Sequence, residues 1–369
     1  MSRIRLLHSV HPSLRSQARG VPWARTGIIT VLLMLCLCRG AQAQYMIGAD
    51  VSFLGQAESR GGTFKDNGAV KPPLEILKDR GYNWIRLRVF VNPTDLPNNL
   101  QYTIALARTA KGLGFKFLLD LHYSDTWAEP RQQYPPNAWK GMDHKRLVKA
   151  VFEYTRDTIN SFREAGVLPD MVQIGNEVNR GILWPDGKLP QHWEHFADLL
   201  KAGINGVEAG HGTVPRPKIM IHINHGDDKK ETKHFLDKLA SYQAPFDLIG
   251  LSYYPFWQGT LNDLRQNLNI MATAYHKDIV LAEVAYCWSP SFYKTRKGPF
   301  PESPEGQKLF LRAVNEIVQQ TPDNRGKGII WWEPVVPKNT RLRDRGFFDD
   351  AGNALPVLTV FDGFSRSAP

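Results

Sequence analysis

Eight short apolar segments, separated by stretches with helical periodicity, constrain the fold of this chain more than any other feature. They lie at 45–51, 83–89, 115–121, 171–177, 218–223, 247–253, 279–285 and 328–332. The intervening segments 147–162 and 309–318 repeat apolar residues with the period of an amphipathic helix. Gly81, Gly114 and Gly166 stand where such helices would end. Apolar strands that alternate eight times with helices predict an α/β protein, a single-domain (β/α)8 TIM barrel.

Residues 1–43 have the composition of a secretory signal peptide. Six arginines and no acidic residue surround an apolar run at 28–38, and Ala41-Gln42-Ala43 offers the small residues that signal peptidase requires. The run of 11 residues is too short to span a bilayer of about 30 Å. The sequence therefore predicts a signal peptide at 1–43, a mature barrel domain at 44–369, and export to the periplasm or the medium without a lasting membrane anchor.

The charge of the chain argues against a strongly charged partner. The formal charge of +10 comes largely from the leader, which holds six of the 46 basic residues and none of the 36 acidic ones. The mature domain is therefore close to charge balance, and nucleic acid is not expected as a partner. Of the three cysteines, only Cys287 lies outside the leader, so no internal disulfide can form in the mature chain. We expect a monomer.

Polar and aromatic side chains recur at the predicted carboxyl ends of the strands. They are Asp50, Ser52, Arg86, Arg88, His122, Tyr123, Asn176, Glu177, His222, Asn224, Tyr253, Tyr254, Glu283, Trp332 and Glu333. A barrel of this class keeps its active site at this end, where the loops after the strands meet. The pattern therefore predicts a functional site at one end of the barrel.

Two carboxyl groups at these strand ends, Glu177 and Glu283, can supply acid–base and nucleophilic chemistry. Glycoside hydrolysis uses one protonated carboxyl with a raised pKa and one ionised carboxylate. Arg86 and Tyr254 are candidates to keep Glu283 ionised. In the alternative interpretation, Glu283 forms only a buried salt bridge with Arg86. The amide of Asn176, beside Glu177, can bond a sugar hydroxyl.

Aromatic residues indicate the class of substrate. The sequence has ten Trp and twelve Tyr. Those expected in the loops around the site are Trp127, Trp139, Trp184, Tyr254, Trp257, Trp288 and Trp332. Indole and phenol rings offer flat apolar faces on which sugar rings can stack. A carbohydrate substrate is therefore predicted.

Other chemistries lack the residue spacing that they require. The segment 222–228 contains two His and two Asp, but their spacing matches neither a zincin helix nor a Cys/His zinc site. The chain has no Gly-x-Ser-x-Gly elbow and no glycine motif for phosphate or dinucleotide binding. We therefore expect no metal and no cofactor.

Seven motifs are spread over nearly all of the mature chain. They are GADVS at 48–52, RLRVFVNP at 86–93, LHYSDTWAEP at 121–130, IGNE at 174–177, SYYPF at 252–256, AE at 282–283 and WEP at 332–334. In these motifs the chain resembles the endo-β-1,4-galactanases of glycoside hydrolase family 53. The resemblance implies a retaining barrel enzyme that cleaves β-1,4-galactan, such as the side chains of pectic arabinogalactan, without a metal.

The resemblance also implies roles for individual residues. Glu177 would be the general acid/base and Glu283 the nucleophile. Asn176 would bind the hydroxyl next to the reacting carbon, while Arg86 and Tyr254 would orient Glu283.

Further positions match the substrate cleft of that family. Trp332 would form the floor of the subsite for the reacting sugar. Three residues match positions that shape the floor and wall of the cleft: Asp50, His122 and Asp125. Asn224 stands where members of the family usually have Asp, which would weaken a substrate contact or change its polarity. The segment 289–305 has three basic residues and only two acidic ones, so the calcium site of some bacterial relatives is not expected.

Two alternatives remain open at the level of sequence. A related retaining enzyme acting on xylan, mannan or cellulose would also carry Asn-Glu on the fourth strand and Glu on the seventh. A polysaccharide-binding protein without activity would share the aromatic cleft, although the presence of both carboxylates argues against it.

Overall fold

Eight parallel strands form a closed barrel in the computed structural model, which describes residues 44–291 and 297–362. The strands are β1 Met46–Asp50, β2 Trp84–Val89, β3 Lys116–Leu121, β4 Met171–Ile174, β5 Lys218–Ile223, β6 Leu248–Tyr253, β7 Asp278–Val284 and β8 Gly326–Trp332. Each strand pairs with its neighbours in chain order, and β8 closes the barrel on β1 with Asp50 opposite Trp332. The predicted (β/α)8 barrel is therefore confirmed.

Helices connect successive strands. They are α1 Leu54–Ser59, α2 Pro73–Asp79, α3 Leu100–Gly112, α4 His144–Glu164, α5 Trp193–Gly210, α6 Lys229–Ser241, α7 Leu261–Tyr275 and α8 Pro304–Gln319. Polar side chains cap the first turns: Asp143 accepts the Arg146 N–H at the start of α4, and Thr260 and Asp263 form a capping box on α7. After β8, the 3₁₀ helix Pro356–Phe361 packs on α8.

Shorter elements lie in the connections. They are the hairpins Lys65–Asp66 with Ala69–Val70 and Gly181–Ile182 with Gly187–Lys188, and the 3₁₀ turns Asn137–Trp139, Val178–Arg180, Pro322–Asn324 and Arg343–Arg345. Gly81, Gly114 and Gly166 have φ angles of 87°, 76° and 73°, respectively. They follow α2, α3 and α4 in the left-handed conformation that ends a helix, as predicted.

The inward-facing side chains change from apolar to polar along the barrel. One buried apolar layer consists of Met46, Trp84, Leu118, Met171, Met220, Leu248, Val280, Ala282 and Ile330. Side chains of a strand alternate between its two faces, so the residue two positions later faces the same way. At that next level β2 to β5 carry Arg86, Asp120, Gln173 and His222, all buried. The polar level lies nearer the carboxyl ends of the strands, where the site is predicted.

The predicted signal peptide at 1–43 lies outside the described residues. Among the residues that the structure does describe, none of the helices has both the length and the apolar character needed to cross a bilayer.

Helices α4 and α5 pack closely because two glycines of α5 face α4. A Cβ added at Gly206 would lie 2.6 Å from Thr155 Cβ and 2.8 Å from the carbonyl oxygen of Phe152. A Cβ added at Gly210 would lie 2.7 Å from the carbonyl oxygen of Arg156. All three distances are too short for a side chain, so the contact requires glycine at these positions.

The substitution Gly206→Ala should therefore lower the free energy of unfolding, as measured by urea denaturation. Alanine gains about 1 kcal/mol of helix propensity, but overpacking against α4 costs about 1–3 kcal/mol, so a net loss is expected. Gly112→Ala, in the last turn of α3, is the control, because a Cβ there has no neighbour within 4 Å. The control should be neutral or slightly stabilising. Equal changes in the two variants would contradict the close contact of α4 and α5.

Candidate active site

The turn after β4 brings Asn176 and Glu177 into the mouth of the barrel. The apolar pattern predicts a strand as far as Glu177, but β4 ends at Ile174. Gly175 has a φ of 74°, and a Cβ there would lie 2.6 Å from Val178 Cγ1, so only glycine fits. Glu177 is also left-handed, with a φ of 47°. A regular strand would point consecutive side chains to opposite faces, whereas this turn buries both of them in the site.

The guanidinium of Arg86 lies at the centre of the site and connects the ends of five strands. Its hydrogen bonds and ion pairs are to Asp50 Oδ2 (2.7 Å), Glu283 Oε1 (2.9 Å), Asp120 Oδ2 (2.8 Å), Asn176 Oδ1 (2.9 Å) and Gln173 Oε1 (3.2 Å). Burial alone would lower the pKa of Arg86, but the surrounding carboxylates raise it, and the net direction is upward. Arg86 is therefore a fixed positive charge.

Glu283 is held between a cation and a phenol. Arg86 Nη1 lies 2.9 Å from Oε1, and the Tyr254 hydroxyl donates to Oε2 at 2.8 Å. A register shift between β6 and β7 places Glu283 opposite Ser252 and sets its direction. Burial raises the pKa of Glu283, whereas Arg86 and Tyr254 lower it, and the net direction is upward. The structure thus places both predicted partners on the carboxylate.

Glu177 has a neutral partner. The Ser252 hydroxyl donates to Glu177 Oε1 at 2.6 Å. Burial and then the charge of Glu283 raise the pKa of Glu177 to about 8, and the Ser252 hydrogen bond lowers it by less. Because Glu283 contacts the Arg86 cation and Glu177 does not, the proton shared by the two acids resides on Glu177. The carboxyls therefore differ as an acid and a nucleophile must.

A second buried arginine lies beside the first. Arg88 Nη2 donates to Glu333 Oε1, and Arg88 Nη1 lies 3.6 Å from Asp50 Oδ1. The guanidinium carbon is also 4.4 Å from the ring centroid of Trp127. Burial raises the pKa of Glu333 to about 8, against the lowering effect of Arg88. Asp50 therefore links the two arginines.

His122 contacts the charged group around Arg86 through Asp120. Its Nδ1 accepts the N–H of Ala128 at 3.1 Å, so the proton on Nε2 is donated to Asp120 Oδ2 at 2.9 Å. Burial raises the pKa of Asp120, but Arg86 and His122 outweigh burial and leave that pKa below its usual value. Asn176 Nδ2 donates to the carbonyl oxygen of the same Ala128 at 2.9 Å. The loop after β3 is thus joined to the end of β4.

Aromatic rings surround the opening. The centroid of the half-buried Trp332 is 6.2 Å from that of Trp127 and 6.1 Å from that of Tyr254, at interplanar angles of 62° and 87°. Tyr254 also contacts Trp257, which is 46% exposed, and the Arg345 guanidinium lies 5.6 Å from the Trp332 centroid. Edge-to-face contacts with Trp127 and Tyr254 orient the indole of Trp332. Trp332 and Trp257 are both partly exposed at the opening of the site.

Asp125 organises the loops after β2 and β3. Its carboxylate accepts the backbone N–H of Asn92 at 2.9 Å and that of Asn137 at 2.8 Å. It lines a cavity of about 610 Å³ together with Tyr134 and Trp184, and neither Glu177 nor Glu283 contributes to that lining. The predicted contact between Asp125 and the substrate would therefore lie away from the reacting atoms.

Asn224 is half-buried after β5. Its backbone N–H donates to Asn179 Oδ1 at 3.2 Å, and its carbonyl oxygen accepts from Gln258. Its buried side-chain oxygen makes no hydrogen bond with any residue that the structure describes.

Outside this site, His144, Asp186 and His195 place donor atoms within 4.8 Å of one another. Nδ1 of His144 and Nδ1 of His195 lie 2.7 and 2.9 Å from separate oxygens of Asp186. The two rings are stacked, with centroids 3.8 Å apart and an interplanar angle of 17°. A histidine binds a metal ion in the plane of its ring. Because the two rings are stacked and nearly parallel, their Nδ1 atoms cannot both bind one ion in this way. The cluster is therefore a set of hydrogen bonds that joins α4, α5 and the intervening loop.

The segment 289–305, where calcium is not expected, lies partly outside the described residues.

Sequence reasoning missed Asp120, Gln173 and Ser252 as members of the site. Asp120 and Gln173 are polar residues within the mainly apolar β3 and β4. Their side chains point into the barrel at the same level as that of Arg86. A polar residue two positions after an inward apolar one is the signal that could have found them. Trp139 lies in the loop after β3, as predicted, but it is buried against Tyr154 of α4 rather than exposed to a ligand.

Comparison with known proteins connects this geometry to a family. The model of the glycosyl hydrolase family 53 matches residues 46–361. The chain is 37% identical over 330 residues to probable arabinogalactan endo-β-1,4-galactanase A of Aspergillus fumigatus, covering 86% of this chain and 92% of the relative. It is 36% identical over 329 residues to arabinogalactan endo-β-1,4-galactanase of Thermothelomyces thermophilus, covering 85% and 98%.

A solved structure agrees with these matches. One from a study of two fungal β-1,4-galactanases superposes with a TM-score of 0.80 at 35% sequence identity, covering 87% of this chain and 99% of that chain. The match in sequence therefore extends to the three-dimensional fold. The chain belongs to glycosyl hydrolase family 53 and is a glycoside hydrolase.

Proposed function

We propose that this protein is an endo-β-1,4-galactanase that hydrolyses galactan or arabinogalactan with retention of configuration. The difference between the partners of the two carboxyl groups carries the proposal. Glu283 forms an ion pair with Arg86 and accepts a hydrogen bond from Tyr254. Glu177 accepts a hydrogen bond from the neutral hydroxyl of Ser252 and has a pKa of about 8. The relatives named as arabinogalactan endo-β-1,4-galactanases support galactan as the substrate.

In the first step, a carboxylate oxygen of Glu283 attacks the anomeric carbon while Glu177 gives its proton to the glycosidic oxygen. The bond between the anomeric carbon and that oxygen breaks, and the leaving sugar departs with the proton. In the second step, Glu177 is ionised and removes a proton from water, whose oxygen displaces Glu283 from the anomeric carbon. Two inversions at one carbon restore its original configuration.

The surrounding side chains would hold the reacting sugar. The Asn176 amide nitrogen carries two hydrogens and donates one to the carbonyl oxygen of Ala128. The other can bond the hydroxyl next to the reacting carbon. Trp332 would support the sugar ring from below. These contacts depend on the position of the reacting carbon, which the spacing of Glu177 and Glu283 sets.

We further propose that residues 1–43 direct export and that the mature enzyme acts as a monomer in the periplasm or the medium. The support is the arginine-rich leader with its short apolar run and its small-residue cleavage site. Galactan is a polymer, and an exported enzyme would meet it before uptake.

Purified protein should release reducing ends from linear β-1,4-galactan, with mixed oligomers appearing early. Xylan, mannan and cellulose, tested in the same panel, should yield none. Proton NMR of the first products should show the β anomer before mutarotation, because two displacements retain configuration. Release from xylan, mannan or cellulose alone would overturn the substrate, and an initial α anomer would overturn the mechanism.

The variant Glu283→Gln should release no reducing ends above background, because an amide cannot form the glycosyl–enzyme bond. Glu164→Gln is the matched control, since Glu164 is an exposed residue at the end of α4, toward the opposite end of the barrel from the strand ends that form the site. The control should retain wild-type activity. Full activity in Glu283→Gln would contradict its role as the nucleophile.

The alkaline limb of kcat/KM on galactan should lie near pH 8. Glu177 must be protonated for the first step, so activity is present below its pKa of about 8 and is lost as the pH rises through that value. Glu177→Gln should reduce kcat by about 10²–10⁴ and remove this limb. The loss should be far smaller on an aryl galactoside whose leaving group needs no protonation. An unchanged alkaline limb in Glu177→Gln would contradict the assignment.

A further inference from the structure

A chain of buried hydrogen bonds leads from Glu177 toward the barrel axis. Ser252 Oγ lies 2.6 Å from Glu177 Oε1, and His222 Nε2 lies 3.0 Å from Ser252 Oγ. Ser252 and His222 are both fully buried, so neither reaches the cleft. Neither side chain takes part in the bond-making steps of the proposed function.

His222 can supply only one N–H to this chain. Burial first, and then the Arg86 charge, hold the pKa of His222 well below its usual value, so the ring is neutral. A neutral imidazole has one nitrogen that donates and one that accepts. Nε2 faces Ser252, while Nδ1 lies 3.1 Å from Gln173 Nε2 and 3.0 Å from Asn176 Oδ1. The position of the ring proton therefore decides the direction of the whole chain.

With the proton on Nε2, each group donates to the next. His222 Nε2 donates to Ser252, and the Ser252 hydroxyl donates to Glu177 Oε1. With the proton on Nδ1, the Ser252 hydroxyl must turn to His222 Nε2. Glu177 Oε1 could then bond Ser252 only by carrying the acid proton itself, on the oxygen that faces the protein.

The partners of Asn176 favour the first arrangement. Asn176 Oδ1 already accepts the charged Arg86 Nη2 at 2.9 Å, and Gln173 Nε2 lies 3.1 Å from it. The Arg86 cation therefore already supplies this oxygen with a donor. Gln173 Nε2 has two hydrogens, and its nearest acceptors are Asp120 Oδ1 at 2.6 Å and the carbonyl oxygen of Gly175 at 3.0 Å, so it does not decide the tautomer. The Ser252 hydroxyl uses its hydrogen on Glu177 Oε1, and its oxygen is left to accept from His222 Nε2. The contacts of the ring thus fit a donating Nε2.

We propose that His222 and Ser252 are positioning residues that keep Glu177 Oε1 permanently occupied as an acceptor and so place the exchangeable proton on Oε2. This inference rests on the proposed function, in which Glu177 is the acid/base. The proton then leaves Oε2 for the glycosidic oxygen and returns there from water, while Ser252 and His222 keep their own protons throughout. The Ser252 bond strengthens when Glu177 ionises, which favours the loss of the acid proton.

The pH profile of Ser252→Ala tests this role. The charged and titratable groups around Glu177 are Glu129, Glu283, Arg86, Tyr254 and His222. They are unchanged in this variant, so a shift reports the lost hydroxyl. The Ser252 hydrogen bond lowers the pKa of Glu177, so its removal should move the alkaline limb upward by about one pH unit and lower kcat about tenfold. Ser252→Thr keeps the hydroxyl and should return the limb to the wild-type position. A limb that stays in place in folded Ser252→Ala would overturn the inference.

A second measurement does not depend on the stability of any variant at position 252. In ¹⁵N–¹H correlation spectra of the wild-type protein, His222 should show a protonated Nε2 and an unprotonated Nδ1. The variant His222→Gln identifies the resonance by its disappearance. A protonated Nδ1 would overturn the inference. If wild-type protein releases no reducing ends from galactan, the proposed function fails, and the ring tautomer is still measured independently.

Discussion

The burial of the Arg86 guanidinium is the constraint on which the rest of this structure depends. Removing an ion from water costs several kcal/mol unless opposite charges and hydrogen bonds replace the lost solvation. The carboxylates that do so, Asp50, Asp120 and Glu283, come from β1, β3 and β7, while Arg86 comes from β2. Only a closed barrel brings these strands around one point. Barrel closure and charge pairing therefore require each other, and Glu283 receives its orientation from the interaction that holds the strand ends together.

Five buried carboxyl groups accompany two buried arginines at the mouth of the barrel. They are Asp50, Asp120, Glu177, Glu283 and Glu333, with Arg86 and Arg88. Burial raises the pKa of Glu177 and of Glu333 to about 8. Arg86 instead forms direct ion pairs with Asp120 and Glu283, which favour the ionised form of both carboxyl groups. Glu283 is the anion nearest the cleft, where positive charge develops on the sugar in glycoside hydrolysis.

The sequence predicted the position of a side chain where the backbone is a regular strand. It did not predict that position where the backbone departs from a regular strand. Glu283 and Trp332 could be placed near strand ends because apolar runs mark where those strands stop, and Arg86 could be placed within β2. The turn at Gly175 could not be foreseen, since a positive φ leaves no trace in an apolar pattern beyond the glycine itself. The bulge that sets Glu283 opposite Ser252 was equally hidden, because it depends on the pairing of two strands. Ser252 was therefore placed within the sixth strand but not identified as the partner of Glu177.

Two amides join the ionic part of the site to its neutral part. Gln173 contacts Arg86 and Asp120 on one side and His222 on the other, and Asn176 contacts both Arg86 and His222. An amide carries donors and acceptors but no charge, so it can bond to a cation, an anion and a neutral ring at once. A carboxylate or an ammonium in either place would extend the ionic group to His222 and Glu177. The amides thus separate the ionic contacts of Arg86 from His222 and Ser252, the neutral groups that lead to Glu177, within the same barrel mouth in which Arg86 stabilises the charge of Glu283.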